Sequence, residues 1–227
     1  MSSEYPKQIL PALPFELWDE ILGYCEVEQL LRLGSTSCAY ATLTRNYLKS
    51  KMDLNIGRFF SDVEAFHEML RSCDAIVSGS VALHILLPSN YTTWMPADLD
   101  IYVPFVHFHY LTVLLGNKGY HLIQEGQTNL NPYSFTSIRT VATFDNGHQR
   151  IDVIVSKTAA AVCPVLQFHS TTVMNFFGPD HIFCAYPTLT LNWLAKINPG
   201  PLYFNRFRYR TIEALWKYAQ CGFRYTS

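Results

Sequence analysis

Apolar residues in the first quarter of the chain recur at helical spacing. Leu17, Trp18, Ile21 and Leu22 fall at i, i+1, i+4 and i+5, one side of a helix. Pro14 and the acids Glu16, Asp19 and Glu20 suit its first turn. Leu30, Leu31 and Leu33 mark a second short helix that Gly34 stops, and Ser35 or Thr36 can cap a third running towards Lys51. Val63, Phe66, Met69, Leu70 and Cys73 predict a further amphipathic helix. The period then changes. Ala75-Ile76-Val77 reads as a buried strand, Gly79-Ser80 as a turn, and Val81 to Leu87 as the helix that follows. Asp98 to Val103 is a strand, Pro104 begins a helix ending near 116–119, and Tyr120 to Gln124 is a short strand. Phe135 to Asp145 and Gln149 to Val155 are strands joined by Asn146-Gly147, a strong hairpin signal, with Asp152 placed at the end away from the turn. Beyond Ala159 mostly helices are expected, the last from about Asn205 to Gln220. The order predicts an α+β protein: a helical unit over 1–55 and a mixed sheet with flanking helices over 56–227.

Candidate chemistry lies inside this pattern. Strand side chains alternate, so Asp98 and Asp100 share one face while Leu99 and Ile101 turn to the core. An unpaired carboxylate within an apolar strand is costly, so Asp100 calls for a partner. Asp152 opens the apolar run Val153-Ile154-Val155 and can stand on a neighbouring strand. Carboxylate oxygens gathered on adjacent strands suit Mg²⁺, or Mn²⁺ in its place. A Gly-Ser turn opening a helix offers backbone N–H groups to a phosphate, with Gly79 admitting close approach and Ser80 donating. His84, one turn after Ser80, is expected at the surface; His107 and His109 diverge in a helix and share no metal. Arg139 and Lys157, near the hairpin strands, are candidates to neutralise triphosphate charge.

A Gly-Ser turn at Gly79-Ser80, then Asp98-Leu99-Asp100, then strand-borne Asp152 resembles the nucleotidyltransferase superfamily that includes DNA polymerase beta. The resemblance covers about 74–156. It implies a metal site on Asp98, Asp100 and Asp152, a nucleoside triphosphate on Gly79 and Ser80, and transfer of a nucleoside monophosphate to an acceptor. Seventeen residues separate Ser80 from Asp98, more than is usual for that family; the turn-rich stretch PSNYTTWMPA is placed to cover the site or replace part of it. The N-terminal pattern of Leu-Pro, Glu16, Ile21 and the Leu30-Leu31-Leu33 cluster resembles an F-box. That implies a Skp1-type adaptor of a cullin ubiquitin ligase as partner through residues 11–50. The alternative to an enzyme is therefore an adaptor whose second domain recognises a client or nucleotide without turnover. A toxin- or antitoxin-like transferase is a third reading.

Composition narrows this. With 227 residues the chain can bury a real core. A net charge of −1 argues against a large nucleic-acid surface, although residues 196–227 hold Lys196, Arg206, Arg208, Arg210, Lys217 and Arg224 against Glu213 alone. Tyr203, Phe204, Phe207 and Tyr209 lie among those bases and could stack on nucleobases. The six cysteines lack C-x-x-C spacing and read as reduced thiols of an intracellular protein, cytoplasmic or nuclear, without a zinc site. No apolar run is long enough to span a bilayer, and the N-terminus is not a secretory signal.

Overall fold

The structure, a computed structural model, describes residues 13–127, 136–200 and 208–226. Three helices come first: α1 (Phe15–Gly23), α2 (Val27–Gly34) and α3 (Cys38–Ile56). A capping box starts α2, where the Glu26 N–H donates to Gln29 Oε1 at 2.9 Å. The cap of α3 is Ser37 rather than Ser35 or Thr36: its Oγ accepts from the Tyr40 N–H at 3.2 Å. Ser35 and Thr36 instead donate to the last carbonyls of α2, those of Arg32 and Leu33. Leu22, Leu30 and Tyr47 form the small core of this unit.

The long α3 does not stop at that unit. Its last turns carry Met52 and Ile56 into the main core, which they share with α4 (Val63–Ser72). The main sheet follows: β1 (Ile76–Ser78), α5 (Gly79–Leu86), β2 (Asp98–Pro104), α6 (Phe108–Asn117), β3 (His121–Gln127), β4 (Ile138–Asp145) and β5 (Arg150–Ser156). Later come β6 (Asn175–Phe177), β7 (Ile182–Cys184), α7 (Pro187–Thr190), β8 (Leu194–Ala195), α8 (Arg208–Gln220) and β9 (Arg224–Tyr225). Seven strands pair in the order β3-β4-β5-β2-β1-β6-β7. β2 and β5 run parallel and their neighbours antiparallel, so the sheet is mixed and the class is α+β. β8 and β9 form a separate short ribbon.

Alternation in β2 and β5 divides the sheet. Leu99, Ile101, Val103, Ile151, Val153 and Val155 are all buried in the core shared with the helices. The opposite face carries Asp98, Asp100 and Tyr102 on β2 and Arg150, Asp152 and Ile154 on β5. There Tyr102 and Ile154 pack with Ala161 and Val165.

Several expectations are corrected. Pro104 ends β2; a short 3₁₀ turn (Phe105–His107) intervenes before α6. The stretch after Ala159 is not mainly helical: β6 and β7 extend the sheet, β8 joins a short ribbon, and 3₁₀ turns stand at Val165–Gln167 and Thr171–Val173. The Asn205 start of the last helix lies outside the described residues, as do Tyr203, Phe204, Arg206 and Phe207. Asp152 sits at the turn-proximal end of its strand, two residues after Arg150, because chain reversal occupies only Asn146–Gln149. No described helix is long and apolar enough to cross a membrane.

Candidate functional site

Strand register builds the site. Asp100 pairs across β2 and β5 with Asp152, Ser78 pairs with Asp100, and Thr143 pairs with Asp152. In-register neighbours on one face stand about 4.8 Å apart between strands. One row therefore runs Ser78, Asp100, Asp152, Thr143. Two residues along the strands, Asp98 opposes Arg150, which opposes Asp145.

The turn after β1 fits against this row. Gly79 has φ +70°, and a Cβ there would stand 2.0 Å from Asp100 Oδ2. Only glycine satisfies both the left-handed backbone and that close approach. Ser78 precedes α5 but does not cap it with its side chain; its Oγ donates to the Asn175 carbonyl, fastening the turn to β6. Ser80 is buried and its Oγ has no partner.

Charge at the row is only partly balanced. Burial, then the charges of Asp98 and Asp152, push the Asp100 carboxyl up to about 8, against the opposing pull of Lys217 and Arg150. Asp152 is differently placed. Thr143 Oγ1 donates to its Oδ1 at 2.6 Å, and Arg150 reaches both oxygens, with Nη2 at 3.1 Å from Oδ2 and 3.2 Å from Oδ1. Arg150 is 53% exposed and Asp152 15%. Among the described residues no group of three or more His, Cys, Asp or Glu side chains is disposed to hold a metal ion by itself.

No protein family, curated protein or solved structure matches the chain.

Helix α8 closes the row from the far end of the chain. Tyr218 is buried, and burial followed by the charges of Asp100 and Asp98 raises its hydroxyl well above the ordinary range. It stacks on His169, with ring centroids 5.9 Å apart. Burial, with Lys217 adding to it, pushes His169 down to about 4, so this ring is neutral, and its Nε2 has no partner. Phe168 bridges His169 and Tyr102 through edge contacts at 6.0 Å each. An aromatic wall thus borders the carboxylates.

Other sequence candidates fall elsewhere. His84 is buried, not on the surface. Its ring meets Trp94 edge-on at 5.3 Å, and burial, followed by Lys51 and Arg58, lowers it to about 4. With Lys51, Leu54, Asn55, Ser89 and Met95 it lines a cavity of about 200 Å³ beneath α3. His107 pairs with Asp74 at 3.2 Å. Arg139 stacks on Phe105, its Cζ 3.3 Å from the ring centroid. Arg139 and Lys157 lie at the opposite ends of β4 and β5 from Asp152, more than ~10 Å along the strands. The loop after α5 does not replace part of the carboxylate row: Ser89 bonds Tyr47, the Asn90 N–H donates to the Gly23 carbonyl, and Arg58 Nη2 donates to the Pro96 carbonyl. Its residues are tied to the helical side, with Trp94 in a cluster beside Tyr218.

Sequence reasoning did not single out Arg150, Thr143, His169 or Tyr218 for this site. Arg150 had one signal: it lies two residues before Asp152, so both point to the same face. The other three have no local mark, since pairing and long-range packing bring them in.

Proposed function

We propose that this chain carries a nucleotidyltransferase-type site that uses Mg²⁺ or Mn²⁺ and moves a nucleoside monophosphate from a nucleoside triphosphate to an acceptor. The observation that carries this reading is the pairing of Asp100 with Asp152, with Asp98 two residues along and Gly79 pressed against the Asp100 carboxylate. All three side chains offer oxygen, the donor type that a hard divalent ion takes, and Asp100 is raised first by burial and then by the charges of Asp98 and Asp152. Asp98, Asp100 and Asp152 would hold the divalent ion, which would supply charge stabilisation to a transferring phosphoryl group and lower the pKa of the attacking hydroxyl. The chain's own residues do the rest. Gly79 allows phosphate oxygens to reach the backbone at the start of α5, and the orphan Ser80 hydroxyl is available to donate to them. Ser78 fixes the turn. Thr143 orients Asp152. Tyr102, Phe168, His169 and Tyr218 pack on one another and wall off one side of the row.

The test is a screen of the four nucleoside triphosphates with Mg²⁺ or Mn²⁺, following label onto any acceptor, including the protein. Asp98→Asn and Asp100→Asn should each abolish transfer while the fold survives, and nucleotide binding should fall less than rate. If the wild type binds no triphosphate in a metal-dependent way, the enzymatic reading is dead.

The adaptor reading has its own support. Leu13, Phe15, Leu17, Ile21 and Leu31 are exposed on α1, α2 and the residues just before, while Leu22 and Leu30 fill the unit's core. A helical unit with a filled core and several large apolar side chains left outside suits a protein partner. Pull-down with the cullin-ligase adaptor separates this reading from catalysis alone; both can hold in one chain.

A further inference from the structure

Arg150 occupies a position where its charge serves two ligands in turn. Its guanidinium takes both oxygens of Asp152 through Nε at 3.3 Å and Nη2 at 3.1–3.2 Å. Asp98 on β2 and Asp145 on β4 are its in-register neighbours, so it stands among carboxylates on both sides. It is also half exposed, at the open end of β5, so it can leave without disturbing packing. Thr143 Oγ1 donates to Asp152 Oδ1 at 2.6 Å, a bond that does not run through Arg150 and that aims the carboxylate. A second cation, Lys217 on α8, acts on Asp100 and His169 but makes no ion pair with Asp152 among the described contacts.

These contacts, taken with the proposed metal site, point to an exchange. We infer that Arg150 is an exchange cation: it neutralises Asp152 until a divalent ion takes that carboxylate, and the released guanidinium then binds the triphosphate, so that ion and triphosphate bind cooperatively. The inference rests on the nucleotidyltransferase reading of the row. Of the roughly four lone-pair sites of a carboxylate, Thr143 and the arginine occupy those on Oδ1, and the arginine reaches Oδ2 as well, so a metal ion competes with Arg150 for Asp152. A guanidinium fork matches phosphate oxygens as well as carboxylate oxygens, which gives the displaced group somewhere to go. No bond is made or broken in the exchange; only ion-pair partners change.

Opposite-signed effects test this, with binding rather than activity as the readout. The probes are Mn²⁺ alone, followed by electron paramagnetic resonance, and inorganic tripolyphosphate alone in metal-free buffer, followed by calorimetry. Tripolyphosphate removes any dependence on the unknown base. Arg150→Gln should bind Mn²⁺ about three- to tenfold tighter than wild type, because a half-exposed ion pair no longer competes. In metal-free buffer the same variant should lose little tripolyphosphate affinity, because wild-type Arg150 is there held by Asp152; in the Asp152→Asn background, where Arg150 is released, adding Arg150→Gln should cost about tenfold. Asp152→Asn should lose Mn²⁺ and bind metal-free tripolyphosphate more tightly, since Arg150 is released. Lys217→Gln is the control: it removes an equal charge near Asp100 without freeing Asp152, so its Mn²⁺ affinity should rise clearly less than that of Arg150→Gln. Equal gains in the two variants would mean a general field effect and overturn the exchange. Unchanged Mn²⁺ affinity in Arg150→Gln would overturn it while leaving the metal site intact. If neither wild type nor Arg150→Gln binds Mn²⁺, the metal site itself fails and the exchange falls with it. Half exposure of Arg150 makes the variant well tolerated; a melting curve for each protein confirms that binding is compared between folded chains, and Arg150→Lys, which keeps charge but loses the fork, should fall between wild type and Arg150→Gln.

Discussion

The two faces of the central sheet come from the same strands and obey different rules. Towards the helices, β2 and β5 present Leu99, Ile101, Val103, Ile151, Val153 and Val155, all fully buried. One residue away each time, the other face presents Asp98, Asp100, Arg150 and Asp152 before it returns to Tyr102 and Ile154. The first face gains free energy by excluding water from branched side chains. The second gathers like charges beside buried aromatics, an arrangement that works against stability unless something binds there. The difference teaches that stability and chemistry can be separated residue by residue along one strand.

Adjacent substitutions break that comparison most sharply. Leu99→Ala should cost about 2–5 kcal/mol in chemical denaturation, from lost burial and the cavity left behind. Asp100→Asn should cost nothing or stabilise. Its carboxyl is raised from 3.8 to about 8 in the folded protein, so ionising it opposes folding as pH rises through that window, and Asn removes the opposition. The gain should be greatest near pH 8 and vanish near pH 4. If both variants lose stability equally, the carboxylate face is structural.

Buried charge on the helical side gives the next effect. Lys51 is buried on α3, donates to the Leu87 carbonyl, and is lowered from 10.5 to about 8 by burial. A base depressed in the folded state binds fewer protons there than in the unfolded chain. Stability should therefore rise between about pH 8 and 10.5. Lys51→Met should flatten that rise, which is on the order of 3 kcal/mol at most. Denaturation midpoints of both proteins at pH 7.5, 9 and 10.5 measure it. A parallel pair of curves would mean that Lys51 keeps its ordinary affinity for protons.

Much of the fold was legible because it follows short-range periodicity. The alternation in Asp98–Val103, the turn signal at Asn146-Gly147 and the leucine spacing of the first helices all depend on neighbours within a few residues. Asp98, Asp100 and Asp152 were legible as candidates for the same reason. What could not be read has no local period. β6 and β7 are three residues each, too short to alternate visibly, yet they complete the sheet. His84 looks polar in sequence but is enclosed by α3 and the Trp94 loop. Tyr218 and Lys217 reach Asp100 from more than a hundred residues away. Asp152 lies near its turn because only Arg150 and Ile151 separate it from the reversal, a matter of strand count rather than of period.

Gly79 sharpens the comparison at the point where the helix start meets the carboxylate face. Gly79→Ala meets two penalties: a left-handed backbone, and a Cβ 2.0 Å from Asp100 Oδ2. The expected loss is about 1–3 kcal/mol. In Gly79→Ala/Asp100→Ala the second penalty disappears while the first persists, so the double variant should be less destabilised than the sum of the singles. Simple additivity in that cycle would mean that the turn and the aspartate do not press on each other.

The smallest effect on stability separates the faces of the N-terminal unit in the same way. Leu30 and Leu31 are consecutive, yet they are 1% and 63% exposed. α2 turns Leu30 against Leu22 and Tyr47 and leaves Leu31 outside. Leu30→Ala should therefore cost about 2–5 kcal/mol as a core truncation. Leu31→Ser should change stability by no more than about 0.5 kcal/mol, because no burial is lost. If the exposed leucines serve an adaptor, Leu31→Ser should still weaken its capture in a pull-down, and Phe15→Ser on α1 should do the same. The melting temperature of Leu31→Ser should match wild type in that experiment, so that lost capture reports a lost contact rather than a lost fold. Retained capture by Leu31→Ser and Phe15→Ser together would remove the adaptor reading and leave these side chains as an exposed surface without that partner.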